Sequence, residues 1–252
     1  MSGALIWQLL RLHNRHRIHS PYVYRLLTGF LLRKPAADLR PIRQLHRQLR
    51  QRNDTLWLQG YGAQAASRTV TIGQLARRSA TGPRKGRLLH QLVRHVQPQA
   101  MLELGTNLGL GTAYLASAAP SATLYSWEGE AQLAGLARQH LQLLGYTAQV
   151  QQGSFLQRFA QLQQHPMPPL QLVYLDGDHR YQPTLDYVEA LLPLLDTEAV
   201  LVLDDLYWSR EMTRAWRALQ HHPAFPLSID LFRLGVLVKR DQARQHFRLW
   251  VG

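Results

Sequence analysis

The spacing of apolar residues along the chain changes character near residue 98. Before that point it is helical. Leu5, Ile6, Leu9 and Leu10 recur at helical intervals, and Tyr22, Val23, Leu26, Leu27 and Phe30 do so after the Ser20-Pro21 start signal. Leu39, Ile42, Leu45 and Leu49 make a third stripe, with Arg40, Arg43, Arg47 and Arg50 on the other faces. The stretch "QGYGAQAASRTVT" interrupts the pattern and reads as a loop. Two more helices follow, one from Ile72 to Ser79 and one whose shared face is Leu88, Leu89, Leu92, Val93 and Val96. An all-helical N-terminal region is therefore expected.

Beyond residue 98 short apolar runs ("AMLELG", "ATLYSWE", "AQVQQG", "LQLVYLDGD", "AVLVLDD") alternate with amphipathic segments at 133–144, 185–195 and 212–219. Strands alternating with helices predict βαβ crossovers and a parallel sheet, an α/β fold. "PLSIDLF" and "LGVLVKR" stand too close together for a crossover helix, which predicts a terminal antiparallel hairpin. The chain thus divides into residues 1–97, a helical region suited to capping, closing or pairing the molecule, and residues 98–252, a ligand-binding α/β domain.

Charge sharpens that division. Of the 29 Lys+Arg and 16 Asp+Glu, residues 1–100 hold 18 and 2, so the net +13 sits entirely in the N-terminal part. Such a surface steers polyanions, which keeps nucleic acid open as a partner beside a plain solvated helical surface. The chain has no cysteine, which excludes a disulfide scaffold and a thiolate zinc site. The first apolar run, "ALIWQLL", is too short for a membrane span and lacks a cleavage site, so a cytoplasmic location is expected. His13, His16 and His19 read as surface residues, since Ser20-Pro21 interrupts their helix.

Candidate chemistry begins at "MLELGTNLGLGT", where an apolar run stops at Glu103 and is followed by Gly105, Gly109 and Gly111. Ligands of doubly wound sheets bind at the carboxyl ends of strands, and glycines there leave room for a bound molecule. The G-x-x-x-G-x-G spacing is not the dinucleotide fingerprint. Glu128, ending the second strand, offers a carboxylate to a ribose, so a nucleoside without a pyrophosphate fits better.

In order, "ELGTNLGLG", Glu128, "GSF", "LDGDH" and "LDD" resemble the class I S-adenosylmethionine-dependent methyltransferases over roughly residues 85–240. The resemblance implies a Rossmann-like, doubly wound, seven-stranded sheet with an antiparallel terminal hairpin. It implies S-adenosyl-L-methionine as cofactor, held by Glu103, Gly105, Thr106, Asn107, Gly109, Gly111, Glu128, Ser154 and Asp176. Trp127 reads as a core or pocket-wall aromatic.

Asp176, Asp178 and His179 follow the fourth strand of the domain, and Asp204 and Asp205 the fifth. Carboxylates on neighbouring strand ends repel unless a cation or shared proton offsets them. The arrangement is similar to the cation-dependent O-methyltransferases of the catechol and caffeoyl-coenzyme A type, which implies a divalent cation such as Mg²⁺ on Asp176, Asp204 and Asp205. Here Asp205 stands where that family has Asn, and His179 where it has a catalytic lysine. Asp176 and His179 are the candidate catalytic residues, His179 as base. "HRIHSPYVYRLL" and "DDLYWSREMTRAWRALQHHP" resemble uncharacterised bacterial methyltransferase-like proteins. Tyr61, Arg84 and Lys85 are candidates for a lid over the acceptor.

The expected activity is O-methylation of a small molecule, since the Asn/Asp-Pro-Pro-aromatic signature of many amino-group methylating enzymes is missing. Nucleic-acid methylation, and cofactor binding without chemistry, remain as alternatives. A homodimer is compatible with the helical preamble.

Overall fold

The computed structural model describes Tyr24, residues 37–60 and residues 66–248. The first two predicted helices, His13, His16, His19 and Tyr61 lie outside the described residues. The third predicted helix is α1 (Arg40–Leu49), which buries Ile42, Leu45 and Leu49 as its stripe requires.

The N-terminal region is not all helical, contrary to the expectation from its apolar spacing. β1 (Thr55–Leu58) and β2 (Arg68–Thr71) pair as an antiparallel ribbon, so part of the expected loop is a strand. "RTVT" is short, β-branched and half exposed, and it borders glycines, which together hide it from a periodicity reading. Thr71 then caps α2 (Ile72–Arg78), exchanging hydrogen bonds with Gln74 in a capping box. α3 (Pro83–Val96) starts with proline in its first turn.

The second part is doubly wound. Its elements run β3 (Ala100–Leu104), α4 (Leu110–Ala118), β4 (Thr123–Glu128), α5 (Ala131–Leu144), β5 (Gln149–Gln152), α6 (Phe155–Gln161), β6 (Leu170–Leu175), α7 (Tyr181–Leu191), β7 (Leu195–Leu203), α8 (Arg210–Leu219), β8 (Leu227–Asp230), β9 (Gly235–Val238) and β10 (Gln245–Arg248). The order across the sheet is β5-β4-β3-β6-β7-β9-β8-β10. β9 runs antiparallel to both β7 and β8, which is the expected hairpin. The sheet has eight strands rather than seven, because β10 adds parallel to the outer edge of β8.

Alternation along the central strands feeds two cores. Met101, Leu172, Tyr174, Val200 and Val202 face one side of the sheet, while Leu102, Leu104, Val173, Leu201 and Leu203 face the other. A third core joins Ile42, Leu49 and Ile72 of the N-terminal region to Leu110, Tyr114, Ala134 and Leu141 of α4 and α5. The N-terminal region is thus packed on the sheet's own helices. Strand order reverses between β3 and β6, where a crevice opens at the carboxyl ends.

Candidate active site

A cavity of about 570 Å³ occupies that crevice. Strand ends supply Gly105, Asn107, Glu128, Asp176 and Asp205, the turn into α6 supplies Ser154, and the N-terminal region closes it with Leu58, Gly60, Arg68 and Arg78. Asn107, Asp178 and Asp205 all have φ near +50°, a conformation sparsely populated by non-glycine residues, and all three line the cavity.

Glu128 is 8% exposed and its carboxylate is fixed by main-chain donors. Asn107 N–H donates to Oε2 at 2.7 Å and Glu130 N–H to Oε1 at 3.0 Å. Burial raises its pKa and those amides oppose the rise. Each oxygen retains a lone pair for a further donor, such as one of two vicinal hydroxyls. Beside it, Asn107 donates from Nδ2 to the Ser79 carbonyl, while its buried Oδ1 has no partner among the described residues. Ser154 caps α6, accepting from Gln157 N–H, so its hydroxyl proton stays free to donate into the cavity.

Glu103, Thr106, Gly109 and Gly111 are placed behind the cavity wall instead. Glu103 is 1% exposed and accepts from the hydroxyls of Thr112 and Ser126, and Ser126 Oγ lies 2.6 Å from Thr106 Oγ1. Burial raises the Glu103 carboxyl to about 7, against those hydrogen bonds. A Cβ at Gly111 would stand 2.6 Å from Glu103 Oε1, so the glycine makes room for that carboxylate. At Gly105, with φ +106°, a Cβ would collide with the Asp176 carbonyl oxygen. Both glycines thus make room for neighbouring protein atoms, and Gly105 also lines the cavity. Gly109 is the N-cap of α4. Trp127 is fully buried, edge-on to Phe159, and so belongs to the core.

The other end of the cavity holds the acidic residues. Tyr174 Oη lies 2.6 Å from Asp204 Oδ2 and 3.0 Å from Asp176 Oδ2. One phenol proton serves only the nearer oxygen, and burial together with the Asp204 charge raises the Asp176 pKa well above the carboxylate range. The pair is thus divided unequally, Asp176 shifted toward the protonated form and Asp204 toward the ionised one. Burial works against that charge, but Lys85 holds the Asp204 pKa down through a direct ion pair. Asp205 is raised by burial and by Asp204.

His179 stands beside them, its Nε2 3.9 Å from Asp176 Oδ1 and its ring 5.7 Å from that of Trp208. Its Nδ1 is buried and has no partner among the described residues. Burial lowers its pKa, so the imidazole is neutral near pH 7. Asp178 is occupied, accepting from Arg180 and from Tyr187 Oη at 2.9 Å.

The expected metal ligands do not fit a divalent ion. Asp204 is fully buried, its Oδ2 accepts from Lys85 and Tyr174, and its Oδ1 accepts Asp205 N–H at 2.8 Å. No group of three or more His, Cys, Asp or Glu among the described residues is arranged to hold a metal.

Three residues at the cavity or behind its wall were not singled out by sequence. Glu130 accepts from Gln59 N–H at 3.1 Å and Gly60 N–H at 2.7 Å, tying the ribbon over the cavity. Tyr174 links the two carboxylates, and the 58%-exposed Trp208 forms an apolar wall at the acidic end. Trp208 alone carried a signal, as an aromatic just after a strand-end acidic pair.

Residues 102–206 match the model of the family described as Methyltransferase domain. Over 130 residues the chain is 28% identical to a catechol O-methyltransferase of Niastella koreensis, covering 50% of this chain and 58% of that protein's length. Among solved structures, the O-methyltransferase TomG of Streptomyces achromogenes, in complex with SAM, is 22% identical with a TM-score of 0.58, covering 90% of this chain and 99% of that one. An O-methyltransferase of Bacillus cereus in complex with SAH is 18% identical with a TM-score of 0.57, covering 86% and 97%. These likenesses establish the Rossmann-like methyltransferase fold. No helix among the described residues is long and apolar enough to cross a membrane.

Proposed function

We propose that this chain, whose residues 102–206 match the Methyltransferase domain family, is an S-adenosylmethionine-dependent O-methyltransferase acting on a small molecule. The observation that carries the reading is the division of one cavity into two ends, a nucleoside-sized cradle at Asn107, Glu128 and Ser154 and a proton-handling end at Asp176 and His179. When bound, the cofactor supplies an electrophilic methyl group on a sulfonium, and the protein's task is alignment and proton removal.

The two ends suit that task. Glu128, fixed by two amides, accepts from the ribose hydroxyls, and Asn107 Oδ1 offers an acceptor to a nearby donor. Buried carboxyl groups crowd this wall of an otherwise basic chain and favour a cationic ligand. His179, neutral because it is buried, takes the proton of an acceptor hydroxyl as methyl transfer proceeds. Asp176 lies 3.9 Å from the same imidazole at this end of the cavity, and Trp208 packs against the acceptor's apolar body. The ribbon that Glu130 holds lines one side of the cavity through Leu58, Gly60 and Arg68.

Transfer of a labelled methyl group from S-adenosylmethionine to catechol and related phenols tests the reading. The expected product is a methyl ether, with a rate insensitive to salt. Label passing only to RNA or DNA, with steep salt dependence, would overturn it.

A further inference from the structure

Resting on the methyltransferase reading, we propose that Lys85 is the resident cation of the carboxylate cluster, a positioning residue that does by a fixed ammonium what a divalent ion would otherwise do, so that methyl transfer needs no metal.

Asp176, Asp204 and Asp205 converge from the ends of two neighbouring strands, and the fully buried Asp204 among them calls for a cation or a shared proton. The first turn of α3 delivers it. Lys85, 119 residues from Asp204 in sequence, reaches across to pair with it, with side chains 15% and 0% exposed. Pro83 sets the start of that helix, and Gly86 lets it lie against the Tyr114 ring, where a Cβ would clash. The approach of Lys85 is thus built into the packing of α3 on α4.

The ammonium then organises the rest. It pairs with Asp204, which also accepts from Tyr174 Oη at 2.6 Å, while Asp176 stands 3.0 Å from the same hydroxyl and faces the cavity. Only Asp176 and Asp205 of the three carboxyl groups reach the cavity wall, so an incoming metal would find two ligands and a cation already behind them. A lysine on α3 therefore stands where an open cation site would need Asp204.

The test is titration of Mn²⁺ into the chelator-washed full chain, followed by electron paramagnetic resonance of the free ion. In the wild type and in Lys85→Arg the free-ion signal should rise in step with added Mn²⁺. In Lys85→Ala one equivalent should disappear from it, with affinity at least tenfold above the wild type, and the further change Asp204→Asn should abolish that gain. One-to-one binding by the wild type, displaced by Mg²⁺ and lost in Asp205→Asn, would overturn the proposal. So would a folded Lys85→Ala that gains no affinity. If Lys85→Ala does not fold, the wild-type and Lys85→Arg titrations still decide. Calorimetry with S-adenosylhomocysteine on the same samples separates the two claims, since its failure would sink the methyltransferase reading without touching the Mn²⁺ result.

Discussion

The carboxylate of Glu130 holds the main chain of Gly60, accepting its N–H at 2.7 Å while also accepting that of Gln59. This contact crosses 70 residues and joins the N-terminal ribbon to the end of β4, beside the cradle formed by Glu128. It makes the preamble part of the binding site. Glu130→Ala should leave both amides without a partner and raise their hydrogen-exchange rates, while cofactor affinity falls about tenfold, or ~1.4 kcal/mol, the scale of one hydrogen bond to a charged group. Unchanged exchange at Gln59 and Gly60 would show that the ribbon is held by other contacts.

Gly105 is confined by backbone geometry. With φ +106° and the Asp176 carbonyl against its α-carbon, Gly105→Ala should cost about 2–4 kcal/mol in denaturant unfolding. A loss under ~0.5 kcal/mol would mean that β3 and β6 can separate at their ends, contrary to their pairing.

Glu103 makes stability depend on pH. Its folded pKa of about 7 lies above its ordinary 4.5, so the folded state binds the proton more tightly. Stability from this group is full below about 4.5 and is lost as pH rises through about 7, by on the order of 3 kcal/mol. Glu103→Gln keeps an acceptor for Thr112 and Ser126 but carries no charge, and should raise Tm at pH 8 relative to the wild type while matching it near pH 5. A variant less stable than the wild type at pH 8 would show that Glu103 is held ionised.

His179 sets the expected acid limb of the rate. Because burial lowers its pKa below the ordinary 6.5, turnover should climb as pH rises through a value under 6.5 and level off near neutrality. His179→Gln should lower kcat by about 100-fold or more, the scale of general-base catalysis, and flatten that limb, with cofactor affinity unchanged. A limb that persists in His179→Gln would assign the base elsewhere.

Much of this was legible from residue order. Short apolar runs such as Met101 to Leu104 and Leu172 to Leu175 announced the central strands, and the short link between β8 and β9 announced the hairpin. β10 was not legible, because in "QHFR" only Phe247 is buried and the polar neighbours give no alternating face of any length. The ribbon strands are as short, and their partnership crosses a glycine-containing gap.

At the site, strand-end positions identified Glu128, Asp176 and His179, since carboxyl ends of strands in such a sheet converge on one crevice. The inward-facing glycines were ambiguous. Gly111 faces Glu103 and Gly105 faces Asp176, relationships that depend on how α4 and β6 pack, and no spacing rule encodes them. Lys85 was legible only as one of three lid candidates, with Tyr61 and Arg84, and not as the partner of Asp204. Its partner Asp204 lies 119 residues away, and a contact that long is set by tertiary packing alone.

The most direct test of the central claim is calorimetric titration of S-adenosylhomocysteine into the full chain, repeated with Glu128→Ala. The account predicts one site per chain with a micromolar Kd, lost in the variant while its unfolding transition is retained. No measurable heat from the wild type at several temperatures, or equal affinity in Glu128→Ala, would contradict it.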